Sequence, residues 1–215
     1  MYDESIEAFI FDMDDTLVAT SAIWRDAEHY LLSRLGAPWS ERLAAQYKGM
    51  NALDVAATIH REIGGLFSLA ECQNIMRERL LENFRRMPIL PIPGAVELVR
   101  RCAAHDRTAL AVASGGPPEA IAHCLNQLDL REYMQCVVSS ESVQRGKPHP
   151  DVFLTVASQL RVSPARCLVF EDSLIGAQAA RAAGMRCVVR PMMPNEAIYA
   201  VATRVVMSWD EATTV

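Results

Sequence analysis

The sequence predicts an α/β fold, an open parallel sheet flanked by helices and interrupted near its start by an all-helical insert. Three observations predict it. Short Val/Leu-rich runs recur with little polar alternation, as strands buried on both faces should. From residue 88 onward these runs alternate with helical segments, and strand–helix–strand succession requires crossovers between parallel neighbours. Residues 19–87 break that rhythm and hold no strand-like run.

The first strand is expected over 7–11, where Ala8-Phe9-Ile10-Phe11 is apolar without interruption. The insert follows, with helical stretches over 21–35, 39–47, 52–63 and 69–86. Residues 88–94, PILPIPG, read as the return connection, and Pro93-Gly94 opens the next helix. A strand over 108–113 leads to Pro117-Pro118, whose fixed φ suits a first helical turn. Strands over 135–139 and 166–170 enclose a helix opened by Pro150-Asp151. Ser173 begins a further helix that ends at Gly184, a residue able to take the left-handed stop. Strands over 186–190 and 204–207 complete the series. The core is therefore expected to comprise 1–18 and 88–215, with residues 19–87 as a separate helical unit.

With 215 residues, 51% of them hydrophobic, the chain can bury a full core. Its formal net charge of -5 and lack of a basic block argue against a nucleic-acid partner. No apolar run approaches the roughly 20 residues that span a bilayer, so no membrane partner is expected. The acidic stretch MYDESIEAF reaches a strand at once, unlike a signal peptide. The six cysteines are scattered without a CxxC pair, and read as reduced, buried, small apolar residues of a cytoplasmic protein rather than zinc ligands. The five histidines read as structural.

Ligands of open parallel sheets bind outside the carboxyl ends of the strands. Four such ends carry chemistry here. Asp12-Met13-Asp14-Asp15-Thr16 follows the first strand and Ser114-Gly115-Gly116 the second; Arg145-Gly146-Lys147-Pro148 comes after the third, and Glu171-Asp172-Ser173 follows the fourth. Taken alone, each has a plain reading as an acidic turn, a glycine loop, a solvated lysine or a helix cap. At successive ends of one sheet they form a site. Carboxylates from two strand ends can share one hard cation, and Mg²⁺ takes oxygen ligands and a substrate phosphate. Ser114 and the amides after it, Gly115 included, can donate to phosphate oxygens, and Lys147 adds a point charge. Asp12 can then attack phosphorus in line, and Asp14 can protonate the leaving oxygen and later activate water.

The ordered motifs DMDDT, a serine after a strand, GKPHPD and EDSLIGAQAARAAG resemble the haloacid dehalogenase superfamily over residues 9–184. The insert directly after the first motif is similar to that of the helical-cap subgroup, which includes beta-phosphoglucomutases and sugar-phosphate phosphatases. The resemblance implies a Rossmann-like core with a mobile cap. It implies Asp12 as nucleophile and metal ligand, Asp14 as acid/base and metal ligand through its backbone carbonyl, Asp172 as metal ligand, and Glu171 beside the metal. Ser114 and Lys147 would hold the phosphate. The acid at Asp14 sets the chain apart from dehalogenases, which typically lack it.

Within that resemblance, mutases carry a histidine where this chain has Trp24 and an arginine where it has Ala52. Both departures favour a simple phosphatase, in which Trp24 lines the pocket. The expected activity is Mg²⁺-dependent hydrolysis of a sugar or polyol phosphate by a monomer. A phosphohexomutase and a non-catalytic phosphometabolite-binding protein are the alternatives. Lys48, the only lysine of the insert, is a candidate substrate or cap contact. Asp15, where glycine is frequent, reads as a turn acid or an extra hydrogen-bond acceptor. Ala19 replaces an acid often found near the hinge.

Overall fold

A computed structural model describes residues 5–65, 67–105, 107–193 and 196–212. Six strands, β1 (Ala8–Phe11), β2 (Ala109–Ser114), β3 (Cys136–Ser139), β4 (Cys167–Glu171), β5 (Arg186–Val189) and β6 (Arg204–Val205), form one sheet in the order β3-β2-β1-β4-β5-β6. All neighbouring pairs are parallel. The strand order reverses direction at β1, so the crevice between β1 and β4 is the place where an open α/β sheet receives its ligand.

Side-chain alternation on these strands explains their unbroken apolar character. Phe9 and Phe11 of β1, Leu110 and Val112 of β2, and Leu168 and Phe170 of β4 point into one apolar core. Ala8, Ile10, Ala111, Ala113, Cys167 and Val169 point into a second core on the opposite face. Both faces are buried, so a polar alternation has no place. Phe11 stacks on Phe170 with centroids 5.0 Å apart, across the β1–β4 crevice. Trp209, fully buried, meets Phe170 edge-on and donates from Nε1 to the Thr16 carbonyl at 3.0 Å, which fixes the loop after β1 from below.

The insert holds helices α1 (Ser21–Arg34), α2 (Glu41–Ala44), α3 (Ala52–Ile63) and α4 (Leu69–Arg86). The core carries α5 (Ala95–Ala103), α6 (Pro118–Gln127), α7 (Asp151–Leu160), α8 (Leu174–Ala182) and the short α9 (Glu196–Tyr199). Helix α4 packs on both α1 and α3. It starts with a complete capping box between Ser68 and Glu71, which satisfies two otherwise orphaned donors. Asn83, buried on α4, donates to the Ile23 carbonyl at 3.0 Å and to Asp26 at 2.9 Å. Residues 39–47, expected as a continuous helix, are helical only over α2. Ser40 caps that turn by accepting from Leu43 N–H, which leaves Trp39 outside it. Beyond Ala44 the chain tightens into i→i+3 bonds, Gln46 to Leu43, Tyr47 to Ala44 and Met50 to Tyr47, and turns at Gly49 with φ +87°.

The two connections between insert and core run side by side. Ala19 N–H donates to Leu90 O and Ile92 N–H to Leu17 O, both at 2.9 Å. At the far end, Arg77 of α4 reaches Glu119 of α6 at 2.8 Å and Glu141 after β3 at 3.2 Å. The insert therefore touches the core both at its neck and across its rim.

Candidate active site

The four motifs meet at the carboxyl edge of the sheet. Asp12 follows β1 directly, and its N–H still bonds to the Phe170 carbonyl of β4 at 2.9 Å, so the strand pairing itself aims the residue into the crevice. Lys147 is only 3% exposed. Its Nζ donates to Asp12 Oδ1 at 2.7 Å, to Glu171 Oε1 at 2.6 Å and to the Ala113 carbonyl at 3.2 Å. The ammonium is thus clamped between the ends of β1, β2 and β4. Glu171 is saturated from both sides, because its Oε2 accepts from Asp172 N–H, Ser173 N–H and Ser173 Oγ at 2.9–3.0 Å.

Glycine at 176 makes that arrangement possible. A Cβ there would land inside the Glu171 carboxylate. Gly176→Ala is therefore expected to push Glu171 off Lys147 and to destabilise the fold by about 1–3 kcal/mol, the scale of overpacking a filled site. Denaturant unfolding checks it, and an unchanged midpoint would contradict the placement of Glu171.

Asp12, Glu171 and Asp172 offer carboxylate oxygens within 4.8 Å of one another, all three buried. Burial, with Glu171 and Asp14 adding negative charge, pushes Asp12 up to about 8 although Lys147 pulls the other way. Burial likewise raises Asp172 well above the carboxylate range, with Glu171 and Asp12 adding to it. Burial opposes the charge on Lys147 too, but Asp12 and Glu171 outweigh it and its pKa is raised. Three clustered carboxylates facing one ammonium leave a surplus of buried negative charge, and an all-oxygen donor set of this kind suits a hard divalent cation. The residues present therefore fit such an ion.

Asp14 turns away from that cluster. Its Oδ1 accepts from Trp24 Nε1 at 2.7 Å and its Oδ2 from Ser114 Oγ at 3.0 Å. Burial raises its pKa, and the Trp24 bond opposes the rise. Ser114 is fully buried and also accepts from Gly116 N–H at 3.0 Å, while Ser139 Oγ donates to the Gly116 carbonyl at 2.7 Å. This fixes the glycine turn after β2. Asp15 sits in left-handed backbone at φ +57° and points toward the insert. Its carboxylate accepts from Thr20 N–H at 2.9 Å, from Ser21 N–H at 3.1 Å and from Ser21 Oγ, so it caps α1 and ties the outgoing connection.

Asp12, Asp14, Gly115 and Asp172 open onto a cavity of about 380 Å³ between core and insert, walled on the insert side by Trp24, Lys48 and others. Ser114, Lys147 and Glu171 lie beneath that wall as its buried support. The insert's loop rests on the core here, since a Cβ on Gly115 would meet the Met50 carbonyl at 3.2 Å and one on Gly49 would meet Ile175. Sequence reasoning did not single out Glu28, Trp39 or Tyr47, which also line the cavity. Glu28 belongs to the amphipathic pattern of α1, while Trp39 and Tyr47 flank the short α2, and nothing local marks them.

A parallel sheet with a buried acidic cluster at its switch point and a helical roof defines an α/β protein with a candidate active site at that edge. A family model described as haloacid dehalogenase-like hydrolase matches residues 6–184. The chain belongs to that family. It is 31% identical to fructose-1-phosphate phosphatase YqaB of Escherichia coli K12 over 86% of this chain and 96% of that protein. It is 29% identical to the bifunctional riboflavin kinase/FMN phosphatase of Arabidopsis thaliana over 93% of this chain, and it spans 52% of that longer protein. The crystal structure of CbbY from Rhodobacter sphaeroides in complex with phosphate matches with a TM-score of 0.84 and 26% identity, covering 98% of this chain and 97% of that one. Among the described residues no helix is long and apolar enough to cross a membrane.

Proposed function

We propose that this protein is a Mg²⁺-dependent phosphatase of small phosphorylated metabolites, a sugar or polyol phosphate above all, acting through an aspartyl-phosphate on Asp12. The observation that carries the reading is the clamp of buried Lys147 against Asp12 at 2.7 Å, directly beneath the cavity that Asp12 and Asp172 line. The phosphatases of similar sequence, YqaB among them, point the same way.

Asp12 attacks phosphorus with a carboxylate oxygen, and the bond from phosphorus to the leaving oxygen breaks. Asp14, whose raised pKa favours a bound proton, delivers that proton to the leaving oxygen. It then takes a proton from water as that water attacks the phosphorus, which frees phosphate and restores Asp12. Lys147 balances the negative charge of the transferring group, and the Gly115 amide, with Ser114 once its hydroxyl is released from Asp14, donates hydrogen bonds to it. Asp12, Asp172 and the backbone carbonyl of Asp14 would hold the metal, with Glu171 behind them; when bound, the cation supplies positive charge against the phosphoryl oxygens. Residues 19–87 act as the cap and 1–18 with 88–215 as the core, the cap swinging about the paired connections at 17–19 and 90–92. The Arg77 ion pairs close its rim, at a stabilisation of about 0–1 kcal/mol because they are partly exposed.

The mutase alternative lacks the arginine expected at position 52. Ala52 is fully buried at the start of α3 and offers no grip on a second phosphate. The protein is read as a cytoplasmic monomer, its six cysteines free and buried.

The test is phosphate release from p-nitrophenyl phosphate and from a panel of sugar, polyol and nucleotide monophosphates. Turnover is expected with added Mg²⁺, and EDTA is expected to remove it until Mg²⁺ is restored. Turnover that persists in EDTA, or none on any ester, would overturn the reading.

A further inference from the structure

The insert adds two carboxylates, Glu28 and Glu41, to the acids of the catalytic motifs that line the cavity. Glu28 lies on α1, one turn beyond Trp24, and lines the same cavity as Asp12 and Asp14. Its Oε2 accepts from Trp39 Nε1 at 3.1 Å and from Tyr47 Oη at 3.2 Å. Tyr47 is 2% exposed, so this donor is locked in the packing of the insert. Trp39 in turn meets His29, stacked at 5.3 Å, and the Arg25 guanidinium, 5.6 Å from its ring centroid. Trp39 and Tyr47, on either side of α2, thus fix one oxygen of an acid on α1, while Oε1 has no hydrogen bond among the described residues.

A rigid carboxylate in a pocket wall is an acceptor only. It rewards groups that bring hydroxyl protons and repels any that bring a second negative charge. Two cations, Arg25 and Lys48, also line the cavity, but they stand against six carboxylates, Asp12, Asp14, Asp15, Glu28, Glu41 and Asp172, so the formal charge of its walls is negative. Resting on the phosphatase reading above, we infer that Glu28 is a specificity-determining residue, held by Trp39 and Tyr47, that hydrogen-bonds the hydroxyls of a neutral polyhydroxylated leaving group and disfavours leaving groups bearing a second phosphate or a carboxylate.

The test compares kcat/KM of wild type, Glu28→Gln and Glu28→Ala on sorbitol 6-phosphate, fructose 1,6-bisphosphate and p-nitrophenyl phosphate, whose leaving group has no aliphatic hydroxyl. Glu28→Ala is expected to lower the ratio of sorbitol 6-phosphate to p-nitrophenyl phosphate turnover by about tenfold or more, the scale of losing a hydrogen bond to a charged group. Glu28→Gln, which keeps an acceptor and loses the charge, is expected to raise the ratio of bisphosphate to monophosphate turnover by a similar factor. A merely structural Glu28 would lower all three substrates together and leave both ratios in place, and that result overturns the inference. So does a wild type that prefers the bisphosphate. A wild type inert toward all three esters removes the phosphatase reading itself, and the inference with it; active wild type with unmoved ratios sinks the inference alone.

Discussion

Asp12→Asn is expected to remove turnover of p-nitrophenyl phosphate by about 10⁴-fold or more, the scale of deleting a covalent nucleophile. The substitution is nearly isosteric, and the amide oxygen can still accept from Lys147, whose Nζ stands 2.7 Å from Asp12 Oδ1. What it removes is the charge and the nucleophilic oxygen. The fold should survive, and pH decides the sign of the change in stability. Burial lifts Asp12 from 3.8 to about 8 in the folded protein. A group whose folded pKa is raised contributes stability that is complete below its unfolded pKa and lost as pH rises through the folded one. In EDTA, wild type should therefore weaken between about pH 4 and pH 8, and Asp12→Asn should weaken less over that window. Urea unfolding at a series of pH values reads this directly. A variant with full activity would falsify the nucleophile assignment. A variant with wild-type pH dependence of stability would contradict the buried charge.

Lys147→Ala is expected to fail twice. Removing one preorganised positive group from the transferring phosphoryl should cost about 2–4 kcal/mol of transition-state stabilisation, or about 10²-fold in kcat/KM. Removing it from the fold leaves Asp12 and Glu171 facing each other, buried and without their shared partner. Breaking a buried pair from one side costs about 3–5 kcal/mol. Chemical unfolding and steady-state kinetics on one preparation separate the two effects. The first loss concerns the phosphoryl group alone. The second comes from burial, because Lys147 is 3% exposed and also holds the Ala113 carbonyl. An unchanged rate in a folded variant would place the phosphate elsewhere.

Much of the architecture was legible because its causes are local. An apolar run such as Ala8-Phe9-Ile10-Phe11 has few options once its flanks are a turn and an insert, and β1 occupies it. Pro118 and Ser173 stand at the helix starts where their chemistry predicts them, on α6 and α8. Gly184 takes φ +73° just past α8. Residues 39–47 were an exception, as was the last strand, expected over 204–207 and paired only over Arg204–Val205. The apolar spacing of 39–47 suits a helix, but the Ser40 cap and the bonds of Trp39 and Tyr47 to Glu28 divide the stretch into a single turn and a tight loop. Asp15 shows the same limit at the site. As a third acid beside Asp12 and Asp14 it could be a turn acid or an extra hydrogen-bond acceptor, and its bonds from Thr20 and Ser21 make it the cap of α1.

By itself the sequence determined the strands, the helices and the order in which acids, a serine, a lysine and a second acid pair arrive at successive strand ends. Those features depend on the chemistry of neighbouring residues, and neighbours are visible in a linear chain. The tertiary structure alone decided which groups touch. It placed Lys147 on Asp12 across 135 positions and Ser114 on Asp14 across 100, and it turned Glu28 into the cavity on the hydrogen bonds of Trp39 and Tyr47. Contacts of that range are made by packing, where parallel strands and a folded-over insert bring remote segments to one edge, and no periodicity along the chain encodes them.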